Sequence, residues 1–358
     1  MSSLTPRLDR VERNFIHNGN FDFWQRGTGP TAVASAIRLA DRMAAYAQGA
    51  PSGLAQLSRS TTVPDTNSQY SFRIVTTSSL VSPTGTDLLH CDYHMEGNDV
   101  AKFYNKAFTV SFYCRFTGTG VTGIYTAALR NQAQDRIFAH NFTVTSSGVW
   151  QKVTFNVPAS WGGAWTFDNA RGMSLNITLS TGPSFKSVNT VNDTWSNTTA
   201  FCTTAHTGNL LAASGNEFLL SKVQLVEGTH SDPEFTTAGR NYSEELQLCQ
   251  RYYERFTGPS GWGFDNANSS SQGAAYWSFK EKKRATPTLG IGSTLVANSR
   301  VYTASGLRGV SAIVPSLAHI DGGVYTVTLS SVAVQYQAGI FAIIASGTED
   351  YMSADAEM

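Results

Sequence analysis

Charge is the first thing this sequence has little of. Only 15% of its 358 residues are Asp, Glu, Lys or Arg, and 26 basic side chains are matched by 26 acidic ones. That balance lacks the basic excess by which nucleic-acid-binding chains announce themselves. Cysteine is also scarce. Cys91, Cys114, Cys202 and Cys249 stand far apart with no CxxC spacing, which argues against zinc and for buried thiols, with a disulfide left open. No apolar run approaches the roughly 20 residues a membrane-crossing helix needs. Residues 1–13 carry charge but no apolar stretch, so no signal peptide and no membrane insertion are expected. Nucleotide-binding fingerprints and the GxSxG elbow are missing. The histidines are dispersed; His90 and His94 have helical spacing but lack the Glu of HExxH and lie among strands.

Rings and neutral polar groups are what the chain has instead. It holds 7 Trp, 14 Tyr and 20 Phe, with 41% hydrophobic residues, enough for a sizeable core. Weakly charged surfaces carrying rings suit neutral partners such as glycans, or subunit interfaces. The length favours two domains. Residues 1–13 read as a short helix with Thr5 as cap and Leu4, Leu8, Val11 and Phe15 on one stripe; it is too short to stand alone. It would pack with its copies, dock on another protein, or lie on its own domain. Residues 14–238 read as β, with strands expected at 108–116, 124–129, 138–144, 149–157, 173–179 and 218–226. Trp24 and Trp150 fall in strand patterns and are expected in the core. A connector at 239–257 contains a helix expected from Ser243 to Phe256, opened by Glu244 and Glu245 and stopped by Gly258-Pro259. Residues 258–358 return to β, with strands at 276–280, 288–291, 324–334 and 338–345. The fold class expected is all-β: two sandwiches joined by a helix.

Several segments resemble one family. Asn18-Gly19-Asn20-Phe21-Asp22-Phe23-Trp24-Gln25-Arg26-Gly27 is similar to the opening of bacteriophage tail-fibre and virion proteins built on carbohydrate-binding-module jelly rolls. Ala40-Asp41-Arg42 matches their next element, although Met43 stands where Trp is usual. Met95 to Val100, Val223 to Gly228, Glu244 to Tyr253, Lys283 to Thr288 and Ala354 to Met358 follow in the family's order. The resemblance implies a jelly roll, a helix and a smaller β domain, a homotrimer, and attachment to a virion head or tail through the N-terminus. It implies non-enzymatic binding of host cell-surface polysaccharide, and a location on the virion surface after synthesis in the bacterial cytoplasm. With 13 residues before the first module, a short spike or tip is expected rather than a long fibre. The rivals are a structural decoration or anchoring adaptor, and a glycan depolymerase or esterase.

Sugar recognition needs ring faces together with hydrogen-bonding side chains. Trp161 and Trp165, flanked by glycines, with Asp168, Asn169 and Arg171 nearby, are one candidate cluster. Trp195 is a second, and Trp262 with Phe264 in a glycine-rich loop is a third; against these stand core-capping for Trp165 and Trp195, and a subunit contact or hinge packing for the Trp262 loop. Modules of this family commonly hold a structural calcium, for which Asn20, Asp22 and Glu227 offer oxygen ligands if the first and last strands pair; a polar sheet edge explains them equally well.

Overall fold

The computed structural model describes residues 14–237, 239–265, 271–331, 333, 337–345, 347 and 349–358. The helix expected over 1–13 lies outside them. The chain divides into two compact units between Glu245 and Leu246, inside the helix Tyr242–Gln250.

The first unit is a β-sandwich of jelly-roll type. One sheet, here the back sheet, runs in the order Thr31–Ala32, Ala55–Ser60, Ser71–Thr76, Glu217–Glu227, Phe108–Thr117, Trp150–Val157. The other, the front sheet, runs Trp195–Asn197, Arg136–Val144, Gly123–Asn131, Arg171–Thr181, Leu88–Glu96, Met43–Gln48. Every pairing within the two sheets is antiparallel, and rings from both fill the space between. Phe112 meets Phe142 with centroids 5.7 Å apart, and Phe116 meets Tyr125 at 4.2 Å. All four cysteines are buried free thiols.

The opening segment is irregular rather than a strand, and its sequence explains why. Asn18 adopts φ 57°, a left-handed conformation that Asn tolerates. Its side chain donates to the Phe23 and Asp41 carbonyls, each at 2.9 Å, and accepts from the Phe23 amide at 3.0 Å. Gln25 donates to Asp41 at 2.8 Å, and the Arg26 guanidinium lies 3.6 Å from the same carboxylate. Trp24 is therefore buried from a turn rather than a strand, its indole donating to the Phe21 carbonyl. Trp150 begins a strand but is only half-buried. At Gly19 the backbone passes so close to the neighbouring strand that a Cβ would lie 2.0 Å from the Val223 carbonyl oxygen.

The connector helix is shorter than expected. It ends at Gln250, and Tyr253–Thr257 is a strand paired with Tyr351–Asp355. Tyr253 and Glu254 are buried among strands, and the cross-strand pairing outweighs the local helical pattern. In the second unit Tyr253–Thr257, Tyr351–Asp355 and Thr288–Ile291 form a small sheet. Six further strands close into a barrel: Ser260–Asp265, Gln272–Ser278, Gly322–Leu329, Gly306–His319, Ser299–Thr303 and Ala338–Ile343. The β layers expected here are thus realised with one layer closed on itself, which leaves that layer no free edge. Tyr325, Val327 and Leu329 point into the core, while Thr326 and Thr328 lie on the wetter face.

Gly19→Ala is expected to destabilise the first unit by about 2 kcal/mol or more, because backbone must move to admit the methyl. Val81→Ala, at a side chain 71% exposed, should stay within about 0.5 kcal/mol of the parent. Urea unfolding of both variants checks this, and a neutral Gly19→Ala would contradict the close approach.

Candidate functional site

Strand alternation builds a polar face on the front sheet. In Leu88–Glu96, Leu89, Cys91, Tyr93 and Met95 enter the core, so His90, Asp92 and His94 project from the opposite face. In Arg171–Thr181, Met173, Leu175, Ile177 and Leu179 are core, which sends Ser174, Asn176 and Thr178 outward with the histidines. Register aligns them in rows. Tyr46, His90, Thr178, Thr126 and Asn141 form one row across five strands; Ala44, Asp92, Asn176, Ala128 and Ala139 form the next. The second row is small at both ends and polar at its middle, so it forms the floor of a trough.

Half of this face is roofed. The segment from Pro183 to His206 crosses the strands Gly123–Asn131 and Arg136–Val144, with Asn192 bridging Ala139 and donor–acceptor pairs linking Asn141 to Asn192 and Thr203. Ala128 and Ala139 are wholly buried beneath it. The roof ends at Phe185 and Phe201, and beyond them lies a cleft of about 350 Å³ lined by Arg38, Tyr46, His90, Asp92, Arg130 and Asn176, among others. That volume falls within the range of small-molecule sites.

Rings line one side of the cleft in a continuous run. Tyr46 stacks on His90 at 5.0 Å, His90 meets Phe201 at 5.1 Å, and Phe201 meets Phe185 edge-on at 5.1 Å. The polar side is a network. His94 Nε2 lies 2.6 Å from Asp92, Asn176 donates to Asp92 at 2.9 Å, and Arg171 Nη1 lies 3.3 Å from His94 Nε2. The Arg130 guanidinium sits 3.9 Å over the Phe201 ring and donates to the carbonyls of Gln134 and Thr199. Although burial pushes the Asp92 carboxyl up, His94 beside it holds it well below the usual range, helped by His90 and Arg38. Burial pushes the His90 imidazole down to about 4, so it is neutral at neutral pH. Three buried polar atoms on this face lack a hydrogen-bond partner among the described residues: His90 Nδ1, Thr178 Oγ1 and Arg130 Nε. Such groups cost free energy until something pairs with them. The arrangement can stack a sugar ring and hydrogen-bond its hydroxyls.

Of the residues named from the sequence as sugar-binding candidates, Arg171 alone lines this cleft. Trp161 is wholly buried, its indole donating to the Lys106 carbonyl at 3.1 Å, and Trp195 is 9% exposed. With Trp165 they pack on one another, centroids 5.0 to 5.8 Å apart, so the rings of Trp161 and Trp195 offer no free face. Trp165 keeps partial exposure, and Asp168 and Asn169 are exposed on the following loop. Phe264 is buried in the barrel, where Trp262 stacks on Phe341 at 5.8 Å. Large rings went inward because apolar burial outweighs exposure for a sugar. The signal that finds the cleft is the alternation from Leu88 to Glu96, in which the helix-like spacing of His90 and His94 is also a same-face strand spacing.

The oxygen ligands named for calcium do not converge. Asn20 lies 3.4 Å from both Asp22 oxygens and accepts from Ser68. Glu227 instead pairs with Lys106 at 3.0 Å. The strand register places Asn14 beside Val226 and Gly19 beside Val223, so Glu227 sits at the other end of the segment from Asn20 and Asp22. Burial raises the Asp22 carboxyl, with Glu245 adding to the rise against Asn20, which disfavours the anion a cation would need. These three residues do not fit a shared calcium ion.

No family model matches the sequence, and no curated protein does either. Solved structures show limited likeness. The enzymatically active domain of tailspike protein 4 of bacteriophage CBA120 is 11% identical over 60% of this chain, with a TM-score of 0.32. The match spans only 21% of that tailspike chain. TmCBM61, solved with β-1,4-galactotriose, is 9% identical over 60% of this chain and 99% of its own, with a TM-score of 0.31. A family 11 carbohydrate-binding module from Clostridium thermocellum, solved with a mixed-linked tetrasaccharide, is 12% identical over 55% of this chain and 97% of its own, at 0.28. At such scores the likeness adds no weight to a functional reading.

The buried imidazoles set an expected pH dependence. His206, its Nδ1 3.2 Å from Thr126 Oγ1 and its Nε2 3.1 Å from the Gly208 carbonyl, is held by burial at about 3, with Lys186 adding. Both His90 and His206 stay neutral when folded yet take a proton near 6.5 when unfolded. Their contribution is therefore complete above pH 6.5 and drains as pH falls towards 4, on the order of 3 kcal/mol for each. Urea midpoints measured across that window should fall steeply, and His206→Gln should flatten the slope. A parent protein equally stable at both ends would contradict the burial of these rings.

Proposed function

We propose that this chain binds cell-surface polysaccharide noncovalently, through the ring-lined cleft on the front sheet, as part of a virion surface protein that grips a bacterial host. The observation that carries the reading is the conjunction in one cleft of stacked rings with buried polar atoms that have no partner. Two residues that line the cleft, His90 and Arg130, carry such atoms, Nδ1 and Nε, among the described residues. A sugar offers both an apolar C–H face and a set of hydroxyls. The virion setting is supported by the ordered run of family-like segments from Asn18 to Met358.

Binding without cleavage is the reading taken for the cleft. Glycoside hydrolysis generally employs a pair of carboxyl groups across the scissile bond. Among the described residues this cleft is lined by one side-chain carboxyl, that of Asp92, already engaged by His94 and Asn176. Weak single sites suffice where copies act together, since linkage raises effective affinity by orders of magnitude.

Self-association as a homotrimer supplies that linkage, and we place it on the barrel of the second unit. Tyr302 lies across from both Leu307 and Ile340 in adjacent strands, and the three are 47%, 53% and 54% exposed. Burying the exposed half of such side chains against another copy is worth about 1 kcal/mol apiece.

Affinity electrophoresis of the full chain through gels holding host capsule or O-antigen tests the binding. The parent should be retarded, Tyr46→Ala and Phe185→Ala should each lose about tenfold or more in affinity with unchanged unfolding midpoints, and Val149→Ser should behave as the parent. Free migration of the parent, or retention by Tyr46→Ala equal to it, would exclude this cleft. Sedimentation tests the assembly. The parent is expected as a trimer and the Leu307→Asp, Ile340→Asp double variant as a monomer, and a monomeric parent would contradict it.

A further inference from the structure

The charge of the cleft departs from that of the chain. Overall, basic and acidic residues cancel, 26 against 26. Around the cleft stand three guanidinium groups, of Arg38, Arg130 and Arg171, and one side-chain carboxylate, Asp92; Met358 also lines it, its main-chain oxygen accepting from Arg38 at 2.7 Å and lying 2.9 Å from His94 Nδ1. Asp92 is taken up by His94 at 2.6 Å and Asn176 at 2.9 Å. It attracts Arg130 and Arg171 only from beyond ion-pair distance, and neither has a carboxylate partner among the described residues.

Arg130 is the more telling of the two. It is 2% exposed, yet its hydrogen bonds go to the neutral carbonyls of Gln134 and Thr199, at 3.0 and 2.9 Å, and its Nε has no partner among the described residues. Burial presses this guanidinium down to about 10, and the positive charge of Arg171 presses in the same direction. Arg171 donates to Gln132, through Nε to the side chain and through Nη2 to the carbonyl, both at 3.1 Å. A buried cation without an anion is expensive, and arginine is the residue whose fork matches a carboxylate with two parallel hydrogen bonds. The roof segment pins Arg130 through Thr199 and Phe201, so the fork is held in place before any ligand arrives.

We infer that the sugar bound in this cleft is an acidic one, a uronic acid or similar carboxylate-bearing residue of a polysaccharide, with its carboxylate received by Arg130 and Arg171. This rests on the cleft being the glycan site, and deepens that reading by naming the ligand class. Tyr46 and His90 would meet the ring face while the two guanidinium groups take the anion. The selectivity is for the carboxylate: the same polymer with its carboxyls reduced to alcohols keeps the ring face and hydroxyls but loses the partner that the arginines lack.

The test compares hyaluronan, alginate and polygalacturonate with their carboxyl-reduced forms, by affinity electrophoresis of the full chain at low and high salt. At least one uronate polymer should retard the parent about tenfold more than its reduced form, with the difference shrinking as salt rises. Arg171→Gln, at a half-buried position, should remove that difference, and Arg171→Lys should restore part of it. Unfolding midpoints establish that both variants fold. Equal retardation by acidic and reduced polymers, abolished by Tyr46→Ala, would overturn the acidic assignment and leave the glycan site standing. Retardation by none of the six polymers would overturn the acidic assignment while host capsule or O-antigen still retards the parent, and failure of those as well would overturn both.

Discussion

The structure of the site depends on one constraint: a β-strand sends successive side chains to opposite faces. In Leu88–Glu96 and Arg171–Thr181, adjacent and antiparallel, that rule is obeyed on both sides at once. Met95, Tyr93 and Cys91 meet Met173, Leu175 and Ile177 in the core, and this burial fixes the register. A slip of one residue would bring His90, Asp92 and His94 into the core and expose the apolar set. The cleft is thus held by hydrophobic packing on the side a ligand never sees. Its polar network adds geometry to a position already determined, and the roof from Pro183 to His206 limits how much of the face stays open.

The family-like segments act mainly as fasteners, with Met358 the residue among them that also lines the cleft. Within the first unit, Asn18 holds Phe23 and Asp41, Asp41 holds Gln25 and Arg26, and the Glu245 carboxylate accepts from the Asn18 amide at 2.6 Å. Within the second, Lys283 and Glu254 form a wholly buried pair at 2.7 Å, Lys283 also donates to the Gln250 carbonyl, and Arg284 donates to the carbonyls of Ala356 and Glu357. Segments far apart in sequence therefore occur together because they satisfy one another's buried polar groups. That is why they identify an architecture and say little about a ligand.

This division explains what could be read from the sequence. Strands with bulky, β-branched runs, such as Phe108–Thr117 and Glu217–Glu227, declare themselves, and so does the all-β class. The connector helix was legible at its start, where Glu244 and Glu245 mark the first turn, but not at its end, where Tyr253 and Glu254 answer to a strand distant in sequence. The site was least legible. Tryptophans in loop-like polar or glycine-rich stretches look like sugar platforms, yet Trp161 and Trp195 gain more from each other and from the core. The residues that do face the cleft are ordinary in sequence. Tyr46, Asp92, Asn176 and Arg130 come from four strands, and only the pairing register assembles them. Their one local trace, alternation in Leu-Leu-His-Cys-Asp-Tyr-His-Met-Glu, is visible once the segment is taken as a strand.

Histidine makes the central claim directly measurable, since His90 and His94 line the cleft while His319 is exposed in the second unit. Imidazole resonances of the isotope-labelled full chain can be followed as a retarding polysaccharide, cut to oligosaccharides, is added. Saturable movement of the His90 and His94 signals with a stationary His319 is expected. Binding that leaves both cleft histidines unmoved would contradict a glycan site on the outer face of the front sheet.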